Sequence, residues 1–198
     1  MLAEVVLVGA SAEMLSLSRK LGFCVTAVCD PIFQDGATWL GLPAFNEDDI
    51  CLKQLSPRKV VIAIDHPLAR HKVHQFYADR GIEIASLIGG RLGDKVIFGS
   101  GLVMQFLTNL SEGTIVGEGV RLNIGANVMH DAWLGNFVTI APGATVLGNV
   151  TLGDGVYIGA NATILPNVHV GEYAIVGAGA VVTRNVKAGS VVKGVPAR

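Results

Sequence analysis

The chain is short of most features that would announce a function. Only 16% of its 198 residues are charged, 15 basic against 16 acidic, and the net charge is −1 with histidines neutral. No basic run or stripe occurs. That excludes the electrostatic footprint of a nucleic-acid binder and the polybasic patch of a membrane-surface protein. Although 51% of the residues are hydrophobic, apolar runs such as "VVLV" and "VVIAI" stop at strand length. A membrane-spanning helix needs roughly 18–20 such residues, so no membrane insertion is expected. The start "MLAEVVLVGAS" carries Glu4 and no basic stretch, and no secretion signal is expected there. Cys24, Cys29 and Cys51 fit no CxxC spacing; they read as buried, reduced thiols of a cytoplasmic protein. His66, His71 and His74 gather around one predicted helix. They lack a matching third ligand at a useful spacing, so no metal is expected.

What is present falls into two halves of different period. Residues 1–90 alternate strand-like and helix-like segments. "EVVLVGA" is a strand, "SAEMLSLSRKLG" a helix closed by Gly22, "CVTAVCD" a strand and "NEDDICLKQL" a short helix. "KVVIAID" is a strand, "HPLARHKVHQFYADRG" a helix ended by Gly81, and "IEIASLI" a last strand. This alternation predicts an α/β Rossmann-like domain with a parallel sheet and right-handed crossovers. Its first turn, "GASAEM", fails the G-x-G-x-x-G fingerprint of a dinucleotide-dependent dehydrogenase.

Residues 91–198 follow another rule. Every sixth residue from Phe98 through Met104, Leu110, Val116 and onward to Val182 is apolar, and the position four later is small or β-branched nearly throughout. Such a sustained six-residue period marks a parallel β-helix of hexapeptide repeats. A second layer repeats every eighteen residues. Gly99, Gly117, Gly135, Gly153, Gly171 and Gly189 form one column, and Asp131, Asn149, Asn167 and Asn185 another. Gly, Asn and Asp tolerate positive φ at tight corners. The columns therefore predict three flat faces per coil and roughly five coils.

In that frame His130 occupies a corner, with Glu112 and Gly148 as its neighbours one coil away on either side. The imidazole should project outward, beside a backbone at Gly148 with no side chain to block it. A histidine next to a carboxylate, Asp131, and an exposed amide has the parts of a general base with an electrophile-stabilising donor. Asp131 could equally be one more corner former in a column of asparagines. No cysteine or serine lies in the coil that carries His130, which argues against a covalent enzyme intermediate there. His169 stands in a different column from His130. This argues against a zinc enzyme of the gamma carbonic anhydrase kind. A non-catalytic trimeric scaffold is a further alternative.

The α/β start, the hexapeptide repeat, "VMHDAWLGNFVTIAPGATVLGNVTLG" and the ending "GAGAVVTRNVKAGSVVKGVPAR" together resemble the NeuD/PglD-type sugar acyltransferases. The resemblance covers essentially the whole chain and is most specific over residues 114–198. It implies a left-handed β-helix, a homotrimer with active sites in clefts between adjacent solenoids, and acetyl transfer from acetyl-CoA to the amine of a nucleotide-linked amino sugar. O-acetylation of a sugar or sialic acid hydroxyl is the alternative acceptor chemistry. By the same resemblance His130 is the general base and Asp131 its acidic partner. The Gly148 N–H binds the thioester oxygen, and Ala160 and Ala178 contact coenzyme A. Thr139 stands where many relatives place a second histidine beside the thioester; a hydroxyl there can donate a hydrogen bond but carries no charge. In the N-terminal domain the resemblance assigns the nucleotide-sugar site to Gly9, Ala10, Ser11, Ala12 and Glu13 at the first turn, Asp30 after the second strand, and Asp65 and Arg70 near the third. Relatives often read Gly-His where this chain has Ala12 and Glu13, and a carboxylate near a diphosphate is unfavourable.

Overall fold

The structure, a computed structural model, describes residues 3–34, 36–46 and 59–198, so the helix expected over "NEDDICLKQL" lies outside it beyond Asn46. The described chain forms two compact units that divide between Leu87 and Ile88.

The first unit is built on strands β1 (Ala3–Val8), β2 (Phe23–Cys29), β3 (Ala37–Trp39), β4 (Leu42–Phe45), β5 (Lys59–Ile62) and β6 (Glu83–Ile84). They form one sheet in the order β3-β4-β2-β1-β5-β6. Every pairing is parallel except β3 with β4. Leu7, Val8, Ala27, Val28, Val60 and Val61 are fully buried, as expected of central strands covered on both faces. Helix α1 (Ala12–Lys20) starts at Ser11, whose hydroxyl accepts the Met14 N–H, and ends with Arg19 and Lys20 beside its negative pole. Helix α2 (Pro67–Ala78) begins with proline in its first turn, where the missing N–H costs nothing.

The β3–β4 hairpin departs from the sequence reading. Its two-residue turn, Leu40–Gly41, has φ of 47° and 78°. Such a turn is usually signalled by Asn-Gly or Asp-Gly, and leucine in the first position conceals it. The thiols also differ from expectation: Cys24 is exposed and free, and Cys29 is buried and disulfide-bonded.

The second unit is a left-handed parallel β-helix. Its two-residue strands stack into three parallel sheets of seven, six and five members. The first face runs from Leu87–Ile88 to Val191–Val192, the second from Arg91–Leu92 to Val181–Val182, and the third from Ile97–Phe98 to His169–Val170. In the regular coils strand partners lie one eighteen-residue repeat apart, as in Val128↔Val146, Leu134↔Leu152 and Ile140↔Ile158, whereas the last turn is two residues shorter, with Val176 against Val192 and Val170 against Val186. The stack begins at Leu87, earlier than the apolar period shows, and "IEIASLI" divides between β6 and this first rung. The prism accordingly has about six coils rather than five. The every-sixth-residue column is buried from Met104 to Val182. Phe98 is half-exposed because its strand is the outermost rung of the third face.

The two corner columns have different causes. Asp131, Asn149 and Asn167 do adopt positive φ, at 57°, 58° and 61°. Gly189 has positive φ but falls outside the glycine column, because the last turn is two residues shorter and the Gly189 N–H donates to the Glu172 carbonyl at the Tyr173 corner. The column glycines are needed because the coils nearly touch: a Cβ at Gly135 would lie 2.8 Å from the Asp154 nitrogen, and one at Gly153 would lie 2.6 Å from the Glu172 nitrogen. Those contacts are with backbone and cannot be relieved by a rotamer change. Gly153→Ala is therefore expected to cost about 3 kcal/mol of stability, read as a lowered urea midpoint. An unchanged midpoint would show that the coil can open locally.

Candidate active site

The turn at His130–Asp131 joins the second face, at Asn127–Val128, to the third, at Trp133–Leu134. The positive φ of Asp131 swings its carboxylate back toward the preceding ring, and His130 Nδ1 lies 2.9 Å from Asp131 Oδ2. The two side chains are 56% and 63% exposed. In the tautomer whose Nδ1–H donates to the carboxylate, the lone pair of the ring sits on Nε2.

Two glycines make room for this pair. A Cβ at Gly148 would fall 2.7 Å from both Cε1 and Nε2 of His130, so the imidazole lies against the bare Cα of the next coil. One coil below, a Cβ at Gly113 would fall 2.5 Å from Asp131 Oδ1. The backbone fixes the corner independently: Asp131 N–H donates to the Glu112 carbonyl at 3.0 Å, and Asn149 N–H donates to the His130 carbonyl at 3.1 Å. The Gly148 N–H has no acceptor among the described residues. A histidine paired with a carboxylate and packed on a residue whose amide has no acceptor among the described residues has the parts to take a proton from a nucleophile while an amide polarises a carbonyl.

The N-terminal residues singled out by sequence gather at the carboxyl edge of the first sheet. Gly9 ends β1 with φ of 99°, and a Cβ there would lie 3.3 Å from the Ala63 backbone. The Ala10 N–H donates to Asp30 Oδ2 at 2.8 Å, and the Ile32 N–H donates to Asp30 Oδ1 at 3.0 Å. Ser11 caps helix α1 and Glu13 lies in its first turn, where a negative charge suits the helix dipole. Arg70 is buried at 2% exposure, and its Nη1 donates to the carbonyls of Ile64 and Asp65 at 3.1 and 2.6 Å. Arg70 thus shapes the loop that carries Asp65.

The bacterial transferase hexapeptide family (six repeats) matches residues 113–148 and 149–184. WeeI from Acinetobacter baumannii AYE is 31% identical, with 99% of each chain covered and a TM-score of 0.88. The chain belongs to the NeuD/PglD-type sugar acyltransferases. Two further solved structures are similar to this acyltransferase over its full length. The acetyltransferase domain of PglB from Neisseria gonorrhoeae FA1090, in complex with acetyl coenzyme A, is 26% identical, covering 100% of this chain and 99% of its own at a TM-score of 0.87. PerB from Caulobacter crescentus, in complex with CoA and GDP-perosamine, is 27% identical, covering 100% and 98% at a TM-score of 0.88. No curated protein sequence matches the chain.

Within this acyltransferase the other residues assigned by resemblance do not share the His130 corner. Ala160 and Ala178 stack at the corner between the first and second faces, where Gly179 N–H donates to the Ala160 carbonyl at 2.8 Å. Both corners therefore flank the second face, whose outward column includes Asn109, Asn127, Thr145 and Thr163. Thr139 is on the first face and 1% exposed. Gly113 is the site residue that sequence reading missed. Its signal is its place eighteen residues before Asp131, which stacks the two one coil apart. Among the described residues no cluster of three metal-ligating side chains occurs, and no helix is long and apolar enough to cross a membrane.

Proposed function

We propose that this sugar acyltransferase moves the acetyl group of acetyl-CoA directly to the amine of a nucleotide-linked amino sugar, with His130 as general base. The observation that carries the reading is the His130–Asp131 pair seated over Gly148. In the proposed step the acceptor nitrogen forms a bond to the thioester carbonyl carbon as His130 Nε2 takes its proton. Asp131 stabilises the imidazolium that results, and the Gly148 N–H donates to the carbonyl oxygen. The carbon–sulfur bond then breaks, and coenzyme A leaves as the thiol with the proton returned through His130. The small side chains of Ala160 and Ala178 suit backbone contacts to the pantetheine arm. PglB's acetyltransferase domain in complex with acetyl coenzyme A and PerB in complex with GDP-perosamine support the donor and acceptor classes.

The acceptor's nucleotide is held by the N-terminal unit in this reading, at the edge formed by Gly9, Ala10, Ser11, Ala12, Glu13, Asp30 and Asp65, with Arg70 shaping the loop. The working form is a cytoplasmic homotrimer. Ile97, Ile115 and Trp133 form one column of the third face and are 65%, 45% and 44% exposed. An open groove of about 980 Å³ lies on the same face. A run of exposed large apolar side chains is the kind of surface that another subunit covers.

The test is thiol release from acetyl-CoA with a panel of UDP-, GDP- and dTDP-linked amino sugars beside their hydroxyl counterparts. Turnover with an amino sugar and none with its hydroxyl counterpart is expected. Turnover confined to a hydroxyl acceptor would replace N-acetylation with O-acetylation by the same base.

A further inference from the structure

We infer that Met129 and Leu147 gauge the acyl group of the thioester donor and hold this acyltransferase to short acyl chains. This rests on the reading of a thioester donor at His130 and Gly148 and goes beyond it by naming the residues that measure what is transferred.

The repeat supplies the first argument. In the β-helix the residue that follows each two-residue strand is a place for small or polar side chains. After every strand of the third face it is glycine, and after those of the first face it is glycine, alanine, glutamine, asparagine or lysine. It becomes large and apolar only at the end of the second face, and there only in successive coils, at Met129, Leu147 and Leu165. The coil before them has Ser111 in this place and the coil after them has Thr183.

The coils with this apolar strip are those that carry the candidate site. Met129 immediately precedes His130, and Leu147 immediately precedes Gly148, whose Cα lies against the imidazole. The backbone holds the strip in register: Met129 N–H donates to the Val146 carbonyl at 2.8 Å, Leu147 N–H to the Ile164 carbonyl at 3.1 Å and Leu165 N–H to the Val182 carbonyl at 3.0 Å. Parallel strands stack about 4.8 Å apart, so these residues stand one above another. All three are half-buried. Leu165 packs in part against the core of the prism, which leaves Met129 and Leu147 as the members nearest the reacting groups.

The chemistry gives the strip its occupant. A thioester carbon attacked at this corner carries an oxygen, a sulfur and an acyl chain. In the proposed step the oxygen meets the Gly148 N–H and the sulfur leads away into coenzyme A, so the acyl chain must find a wall of its own. On the third-face side of the corner stand Asp131 and Asn149, which are polar. On the second-face side stand Met129 and Leu147, which suit an alkyl group. Side chains of that length beside the reacting carbon leave room for few methylenes. One methylene too many or too few in an apolar pocket changes kcat/KM by about 10- to 200-fold.

The experiment measures thiol release by the full chain from acetyl-, propionyl- and butyryl-CoA, with the nucleotide-linked sugar that the parent turns over fastest. The parent is expected to favour acetyl-CoA over butyryl-CoA by at least about tenfold in kcat/KM. Met129→Ala and Leu147→Ala each remove part of the wall and should raise the butyryl-to-acetyl ratio about tenfold to a hundredfold. Met129→Leu, which keeps the bulk, should keep the parental ratio. Leu165→Ala, one coil farther from the reacting carbon, should leave that ratio unchanged as well. Each ratio compares two donors on the same protein, so an unfolded fraction cancels from it. A parental ratio in both Met129→Ala and Leu147→Ala, or a KM raised equally for all three donors, overturns the acyl gauge and leaves the acyl-transfer reading intact. No thiol release from any donor, across the amino sugars and their hydroxyl counterparts, overturns both.

Discussion

His130→Ala is expected to lower kcat by roughly 100- to 10,000-fold, the range a positioned proton acceptor contributes, with little change in folding. The side chain is 56% exposed and makes its one side-chain hydrogen bond to a neighbour that is itself exposed. The corner is held by backbone bonds on both sides, from Asp131 N–H to the Glu112 carbonyl and from Asn149 N–H to the His130 carbonyl, and these survive the substitution. Thiol release measured beside a thermal midpoint separates the two effects. A variant with parental turnover would mean that the imidazole is only a solvated corner residue and that another group takes the proton. A variant that loses activity together with many degrees of midpoint would assign the histidine to the fold.

The second large effect is expected at Gly148, where alanine should lower kcat/KM by about 100-fold, the loss that follows from displacing a catalytic group by about an ångström. The new Cβ would lie 2.7 Å from Nε2 and Cε1 of His130. Gly148 is not among the glycines with positive φ, so alanine introduces no backbone strain. Because the ring is exposed, it can swing outward and let the coil close unchanged, but Nε2 then leaves its place over the Gly148 Cα. Stability should stay within about 1 kcal/mol of the parent, since the clash is with a mobile side chain. The contrast with Gly153→Ala is the informative part, because there the added methyl meets the backbone of Glu172 and the cost falls on folding. Equal activity in Gly148→Ala and the parent would sink the idea that the bare Cα is part of the site.

The two units differ in how much of them could be read from the chain. In the regular coils of the β-helix each residue's stacked neighbours are eighteen positions away, so a linear column there is already a spatial one. The eighteen-residue spacing by itself stacks His130 beneath Gly148, and the six-residue period marks the buried column from Met104 to Val182. What misled was a residue type with two uses. Glycine at positions 99 to 171 suggested positive φ, whereas close approach of successive coils is the cause. In the N-terminal unit, alternation located β1, α1, β2, β5 and α2 because each buries a continuous or amphipathic apolar set. It could not show the hairpin, whose Leu40–Gly41 turn lacks the usual turn residue.

By itself, then, the chain's eighteen-residue repeat determined the prism, its three faces and the pairing of His130 with Gly148, because a repeat of constant length turns sequence distance into spatial contact. Tertiary structure alone decided which polar groups are spent within the fold. It puts Asp30 between the Ala10 and Ile32 amides, turns Arg70 inward onto the Ile64 and Asp65 carbonyls, and buries Thr139. Side-chain direction and hydrogen-bond partners depend on elements brought together from distant parts of the chain, and no local pattern encodes them.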